Sequence, residues 1–236
     1  MRDSRRPRIC ATVAVPSLKR LGPAAGMAIS QGADLVELRL DYLPELPDAD
    51  GLKWCSDLGV PVVATVRKES EGGRYKGPEE QRLGCLDGIA GLCQYVDLEL
   101  NSATSEEVSA LKDGGAKVIL SHHDFKSTPP DETLLSVLCR AKALGSDVCK
   151  VATLVTTLRD TLRVLSLPSA VYPCVVVTMG SNGIIGRVLA PFFGSEFAYA
   201  HPDGLPPVAP GMLSVPTMRR IYQDLEDALG WGRPRC

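Results

Sequence analysis

Short runs of β-branched and apolar residues alternate along the whole chain with longer stretches of helical period. The runs predict strands over Ile9–Val15, Asp34–Arg39, Pro61–Val66, Tyr95–Leu100, Lys117–Ser121, Asp147–Ala152, Tyr172–Thr178 and Glu196–Ala200. Between them, Thr104-x-x-Glu107 is a capping box, which predicts a short helix over Thr104–Leu111 closing at Gly114–Gly115. A clearer helix is predicted over Thr128–Leu144. Thr128 is its cap, Pro129 takes the first helical position, and Leu134, Val137, Leu138, Ala141 and Leu144 form one stripe before Gly145. A final amphipathic helix carries Met218, Ile221, Tyr222, Leu225 and Leu229.

Connections of this length, each able to hold a helix, are too long for tight hairpins, so consecutive strands are expected to be parallel. Eight strand–helix units in 236 residues average roughly 29 residues each, near the lower limit for a barrel of about 250. The pattern therefore predicts an α/β fold of the (β/α)8 TIM barrel type, a single domain over residues 1–236. An open doubly wound sheet is the alternative. It would want a glycine-rich phosphate loop after the first strand, where PSLKRLG stands instead. Residues 1–8 read as a flexible basic tail, and Pro202–Gly211 is the one long irregular connection, lying between the last strand and the last helix.

Composition narrows the partners. With 26 Lys+Arg against 28 Asp+Glu the net charge is −2, which gives no drive toward nucleic acid. No apolar stretch approaches the roughly 18 residues that span a bilayer, so no membrane association is expected. MRDSRRPR runs straight into ICATVAV with no separate apolar region or cleavage site, which predicts a cytoplasmic protein. Eight cysteines without CxxC spacing argue against a disulfide scaffold or a metal site. Cys10, Cys149 and Cys174 read as small core residues.

In a barrel, chemistry lies at the carboxyl ends of the strands. Strand two ends in Glu37-Leu-Arg39, with both charged residues on one face. Strand three runs into Arg67 and then Glu71, beside the flexible pair Gly72–Gly73. Strand five ends in SHHDF, strand six carries Lys150 within VCKVA, and the segment after strand seven ends in Arg187. Burying an unpaired ammonium is costly, so an isolated Lys150 is expected to lower its pKa and become a nucleophilic amine. A lysine ion-paired inside the barrel is the structural alternative. His123, on the neighbouring strand, is placed to share a pocket with Lys150 and to move protons near neutral pH. A histidine simply hydrogen-bonded in the core is its alternative. His122 is expected to face the helices, Asp124 to fix a turn, and His201 to lie at the surface. Arg39, Arg67, Arg187 and Lys150 together predict a cationic mouth, only partly offset by Glu37 and Glu71, for a small anionic, hydroxylated substrate. Pairing of these arginines within the barrel is the alternative.

The segments ICATVAVPS, ADLVELRLDYL, PVVATVRKESEGGRYKG, YVDLEL, SHHDFKSTP, VCKVA, VVVTMGSNGIIGR, FGSEFAYA and VAPGMLSV, in this order, resemble the type I 3-dehydroquinate dehydratases of the shikimate pathway, in aromatic amino-acid biosynthesis. The resemblance implies a hydro-lyase that converts 3-dehydroquinate to 3-dehydroshikimate through a lysine Schiff base, by syn elimination, without metal or organic cofactor. It implies that Lys150 attacks the ketone, that His123 moves the protons, and that Glu71 orients His123. Glu37, Arg39 and Arg67 would bind substrate hydroxyls and Arg187 the carboxylate. Residues 202–212 would form a loop closing over the substrate, with Met212 at a substrate-binding position. A homodimer is the usual assembly of the family.

Three positions depart from the family's pattern. Val208 and Met212 stand where the closing loop usually carries Ser and Gln, and Gly186 stands where a Ser usually precedes the carboxylate-binding arginine. Two other functions therefore stay open. A class I aldolase-like Schiff-base enzyme would want a phosphate site, for which GSNGIIG offers a glycine-rich candidate. A weakly active or non-catalytic 3-dehydroquinate-binding relative would fit the lost polar groups at Val208 and Met212.

Overall fold

In the computed structural model, which describes residues 6–229, eight parallel strands curl into a nearly closed barrel. In chain order the elements are β1 (Ile9–Val13), α1 (Leu18–Ser30), β2 (Leu35–Arg39), α2 (Ala49–Leu52), β3 (Val62–Thr65), α3 (Glu79–Ile89), β4 (Tyr95–Glu99) and α4 (Ser105–Asp113). They continue with β5 (Lys117–Asp124), α5 (Asp131–Ala143), β6 (Val148–Leu154), α6 (Leu158–Ala170), β7 (Cys174–Met179), α7 (Ile184–Leu189), β8 (Ala198–Ala200) and α8 (Val215–Leu229). The ladder runs β7-β6-β5-β4-β3-β2-β1-β8. At the seam the Glu196 N–H donates to the Cys174 carbonyl (2.9 Å), and the Ser195 hydroxyl accepts from the Val176 N–H (3.2 Å) while donating to the Phe197 carbonyl (2.9 Å). The fold is a (β/α)8 barrel, and the open-sheet alternative is set aside.

Alternation along each strand sorts the side chains into two layers. Outward residues such as Val36, Leu38, Val96, Leu98, Val118 and Leu120 pack under the helices. Cys10, Leu35, Val63, Ile119, Val148, Val175 and Phe197 form the floor of a second apolar cluster inside the barrel, which continues through Ala152, Val177 and Met179 toward the carboxyl ends of β6 and β7. Cys10, Cys149 and Cys174 are buried thiols, as their apolar surroundings predict.

Strand boundaries differ from the predicted ones for local reasons. β5 continues past Ser121 because His122, His123 and Asp124 stay in register with Val151, Ala152 and Thr153 of β6. β7 starts at Cys174 because Pro173 has no N–H to give to the ladder. The capping box at Thr104–Glu107 is present. The longer helix α5 instead starts at Asp131, because Pro130 disfavours helical backbone at Pro129. Thr128 is consequently not its cap, and donates to the Leu154 carbonyl (3.0 Å). Met218 and Tyr222 of α8 are fully buried, whereas the side chain of Leu229 lies outside the described residues.

Of the tail expected over residues 1–8, residues 1–5 lie outside the described residues. Arg8 is not a free tail residue: its guanidinium pairs with Glu196 (2.8 Å), and its carbonyl accepts from Ala198. Among the described residues, no helix is long and apolar enough to cross a membrane, and no group of three or more His, Cys, Asp or Glu could hold a metal ion.

Candidate active site

At the carboxyl ends of the strands the barrel opens into a cavity lined by polar and apolar side chains. Glu37, Arg39, Arg67, Glu71, His123, Lys150, Arg187 and Met212 all line it. The eight residues singled out in the sequence thus meet in one place, although they come from segments separated by most of the chain.

Lys150 is buried on β6, yet it is not isolated. Its Nζ donates to Asp97 Oδ2 (2.8 Å) and to the Tyr199 hydroxyl (3.1 Å), with Glu37 Oε1 at 3.7 Å. The expectation of an unpaired amine is therefore corrected to an ion-paired one. Asp97 also accepts from Arg67 Nη2 (2.6 Å) and from the Ser121 hydroxyl (2.6 Å). Burial alone would raise the Asp97 pKa, but the charges of Arg67 and Lys150 outweigh it and hold this carboxylate far below the usual range.

His123 and Glu71 form the second unit, with Nδ1 2.9 Å from Glu71 Oε2. Asn101 Nδ2 donates to the other Glu71 oxygen (3.3 Å). Burial pushes the Glu71 pKa up to about 7, against the pull of Arg67. Burial, reinforced by the cations Arg67 and Lys150, pushes the His123 pKa well below its usual value. Neutral imidazole is accordingly the resting form at neutral pH, a base ready to accept a proton.

The loop carrying Glu71 is tied by backbone hydrogen bonds. Tyr75 N–H donates to the Arg67 carbonyl (3.1 Å), and Gly73 N–H to that of Lys68 (2.9 Å). Gly72 has φ +77° and lies against the Phe125 ring, and a side chain on Gly73 would run into the Arg67 backbone. These two glycines serve close approach, which brings Glu71 to the imidazole.

The predicted cationic mouth is largely neutralised. Arg39 makes a two-pronged bond to Asp41 (2.8 Å for both contacts). Arg67 is shared among Asp97, Glu99 and Ser121. Arg187 differs: only its Nη2 finds an acceptor, the Pro210 carbonyl (3.0 Å), while Nε and Nη1 have none among the described residues. Burial pushes its pKa down to about 10, so it remains a cation at neutral pH. Arg187 is thus a buried cation on the cavity wall whose charge no carboxylate among the described residues offsets.

Segment 202–212 reaches the cavity through Val208, Ala209 and Met212, and Pro210 ties it to both Arg187 and the Gly180 N–H (3.2 Å). Gly186 stands elsewhere. A side chain there would press on Thr178 and Thr161 (2.5 and 2.7 Å), neither of which lines the cavity, so its glycine serves packing of α7 on β7. Asp124 fixes a turn by accepting from the Lys126 and Ser127 N–H groups. His201 is half-buried rather than at the surface, since its backbone bridges to Ser214.

The family described as type I 3-dehydroquinase matches residues 9–228. The chain belongs to this family. It is similar to the 3-dehydroquinate dehydratase of Methanothermobacter thermautotrophicus, with 35% identity over 92% of this chain and 97% of that protein. Among solved structures, it is similar to the 3-dehydroquinate dehydratase of Geobacillus kaustophilus, with a TM-score of 0.85 and 27% identity over 96% of this chain and 93% of that one. The type I 3-dehydroquinate dehydratase of Clostridium difficile, in a structure with covalently modified comenic acid, has a TM-score of 0.84 and 26% identity over 94% and 93% of the two chains.

In this family member several site residues escape the sequence reading. Asp97 and Glu99 alternate on β4 as Glu37 and Arg39 do on β2, and the same same-face argument would have found them. Thr12 and Thr65, which donate to the two oxygens of Glu37 (2.9 and 3.0 Å), and Tyr199 are single polar groups in apolar strands and carry no such signal.

The raised pKa of Glu71 has a stability consequence with a definite sign. A folded-state value above the unfolded one favours folding at low pH, and that contribution is lost as pH rises toward about 7. Between about pH 5.5 and about pH 8, the fall in unfolding free energy is expected to be smaller in Glu71→Gln than in the native chain by about 1–2 kcal/mol. Chemical denaturation at the two pH values measures the difference, and equal falls in both proteins contradict the assignment.

Proposed function

We propose that this chain dehydrates 3-dehydroquinate to 3-dehydroshikimate through a Schiff base on Lys150. The observation that carries the reading is the placement of a buried lysine nitrogen, a histidine–glutamate pair and a buried arginine with free donors around one cavity. The family to which the chain belongs supports the substrate.

The reaction can be followed on these groups. Arg187 takes the C1 carboxylate, and Arg39, Arg67 and Glu37 meet the hydroxyls. Lys150 gives its ammonium proton to neutral His123 and adds to the C3 ketone, and His123 returns that proton to the carbinolamine hydroxyl, which leaves as water to give an iminium that acidifies the C2 hydrogen. His123 removes that proton, and its imidazolium is stabilised by Glu71. The enamine electrons then form the C1–C2 double bond as the C1 hydroxyl leaves with the proton from His123. Water hydrolyses the conjugated iminium and returns the lysine. Net change is loss of one water, with no redox step and no cofactor required. Residues 202–212 act in this scheme as the loop that closes on the substrate, keeping bulk water from the iminium. The reading also takes the enzyme as a cytoplasmic homodimer, for which the resemblance is the support.

Borohydride reduction of the protein mixed with 3-dehydroquinate is expected to add the substrate's mass to Lys150. Lys150→Ala should show neither that mass nor any rise in enone absorbance, while still binding the substrate through Arg187. Unaltered turnover in Lys150→Ala would refute the role of the lysine. C2-proton release without carbon–carbon cleavage separates dehydration from an aldolase reaction.

The apolar residues Val208 and Met212 face the cavity where they can make no hydrogen bond to a hydroxylated ring. Val208→Ser combined with Met212→Gln is expected to raise kcat/KM for 3-dehydroquinate by roughly one decade, the scale of one or two polar contacts. A fall in kcat/KM would indicate that the site is shaped for another substrate.

A further inference from the structure

We propose that Tyr199 is a catalytic residue of the imine-forming step, its hydroxyl relaying a proton from the Lys150 nitrogen to the oxygen of the incoming ketone. The proposal deepens the Schiff-base reading above and rests on it. Two groups lie within hydrogen-bond distance of Lys150 Nζ among the described residues: Asp97 Oδ2 at 2.8 Å and the Tyr199 hydroxyl at 3.1 Å. Asp97, held ionised by Arg67 and Lys150 against the effect of its burial, only accepts. The phenol both donates and accepts, so of the two it is the one able to pass a proton on.

Chemistry requires such a group. As the amine lone pair forms the bond to C3, the carbonyl π pair moves to oxygen, which leaves a positive nitrogen beside a negative oxygen. In bulk water solvent exchanges the proton between them. Here Tyr199 is 4% exposed and Lys150 5%, so contact with bulk solvent is small, and the phenol beside the nitrogen offers a direct path. The phenol gives its proton to the alkoxide and takes one from the nitrogen. A neutral carbinolamine results, and Tyr199 ends as it began. Burial, then the charges of Glu37 and Asp97, hold the phenol well above the usual tyrosine range, which keeps it in the protonated form that the exchange uses. Its ring is set edge-on against Phe197, with centroids 5.3 Å apart and planes at 80°, and its centroid is 4.4 Å from Nζ. That packing fixes the hydroxyl beside the reacting nitrogen.

The test uses Tyr199→Phe, which keeps the ring and removes the relay. In single turnovers with 3-dehydroquinate, the rate of borohydride trapping at Lys150 is expected to fall by about 10- to 100-fold. Affinity for 3-dehydroshikimate should stay within about two-fold, so that kcat falls while KM is little changed. Replacing Tyr199 by 3-fluorotyrosine, which retains the hydroxyl, should restore trapping. A native trapping rate in Tyr199→Phe overturns the relay alone. Equal losses of trapping rate and affinity make the hydroxyl a binding contact and also overturn it. If the native protein itself traps no ketone, the Schiff-base reading fails, and the relay with it.

Discussion

The site depends on one buried carboxylate. Asp97, fully enclosed on β4, accepts from Lys150 through one oxygen and from Arg67 and Ser121 through the other. Without it two cations would face each other in a space nearly shut off from water, and leaving buried charges unpaired costs about 3–5 kcal/mol. The pairing extends outward from Arg67 to Glu99, from Glu99 to Arg82, and from Arg82 to Glu79 near the surface. Charges alternate along this chain, so each is partnered on both sides. This is what lets a parallel barrel carry so many ionised groups on its inner face while its floor stays apolar.

The inner charges satisfy one another with one exception. Arg187, on α7, retains two donors without acceptors among the described residues, and it is joined by its third nitrogen to the Pro210 carbonyl of the segment over the cavity. One guanidinium thus links the cavity wall to the position of that segment. The same contact explains why the departures at Val208 and Met212 matter more than that at Gly186. The first two face the cavity, whereas the third faces Thr178 and Thr161 behind it.

Much of this was legible in the sequence. Strand–helix alternation and segment length identified the barrel, since a parallel ladder needs long connections. Alternation at Glu37-Leu-Arg39, and the isolated lysine of VCKVA, located inward charges at strand ends. What failed was partnership. Whether Lys150 is isolated or paired depends on Asp97, 53 positions away, and no local pattern states that distance in space. For Arg67 the same distance hides Asp97 and Glu99, whereas Arg39 is held by Asp41, only two positions on, so the alternative of pairing within the barrel holds for both. Gly72–Gly73 read as flexible because glycine marks both freedom and crowding, and only the packed Phe125 ring and Arg67 backbone decide between them. Helix starts shifted where consecutive prolines overrode a good cap at Thr128.

The central claim is that one cavity joins a covalent lysine to a buried, anion-binding arginine. The structure of the borohydride-reduced complex with 3-dehydroquinate tests it most directly. The account predicts a bond from Lys150 Nζ to the ring carbon that bore the ketone, and the ring's carboxylate on the guanidinium of Arg187. A ring attached to any other residue, or a carboxylate turned to solvent with Arg187 untouched, would contradict it.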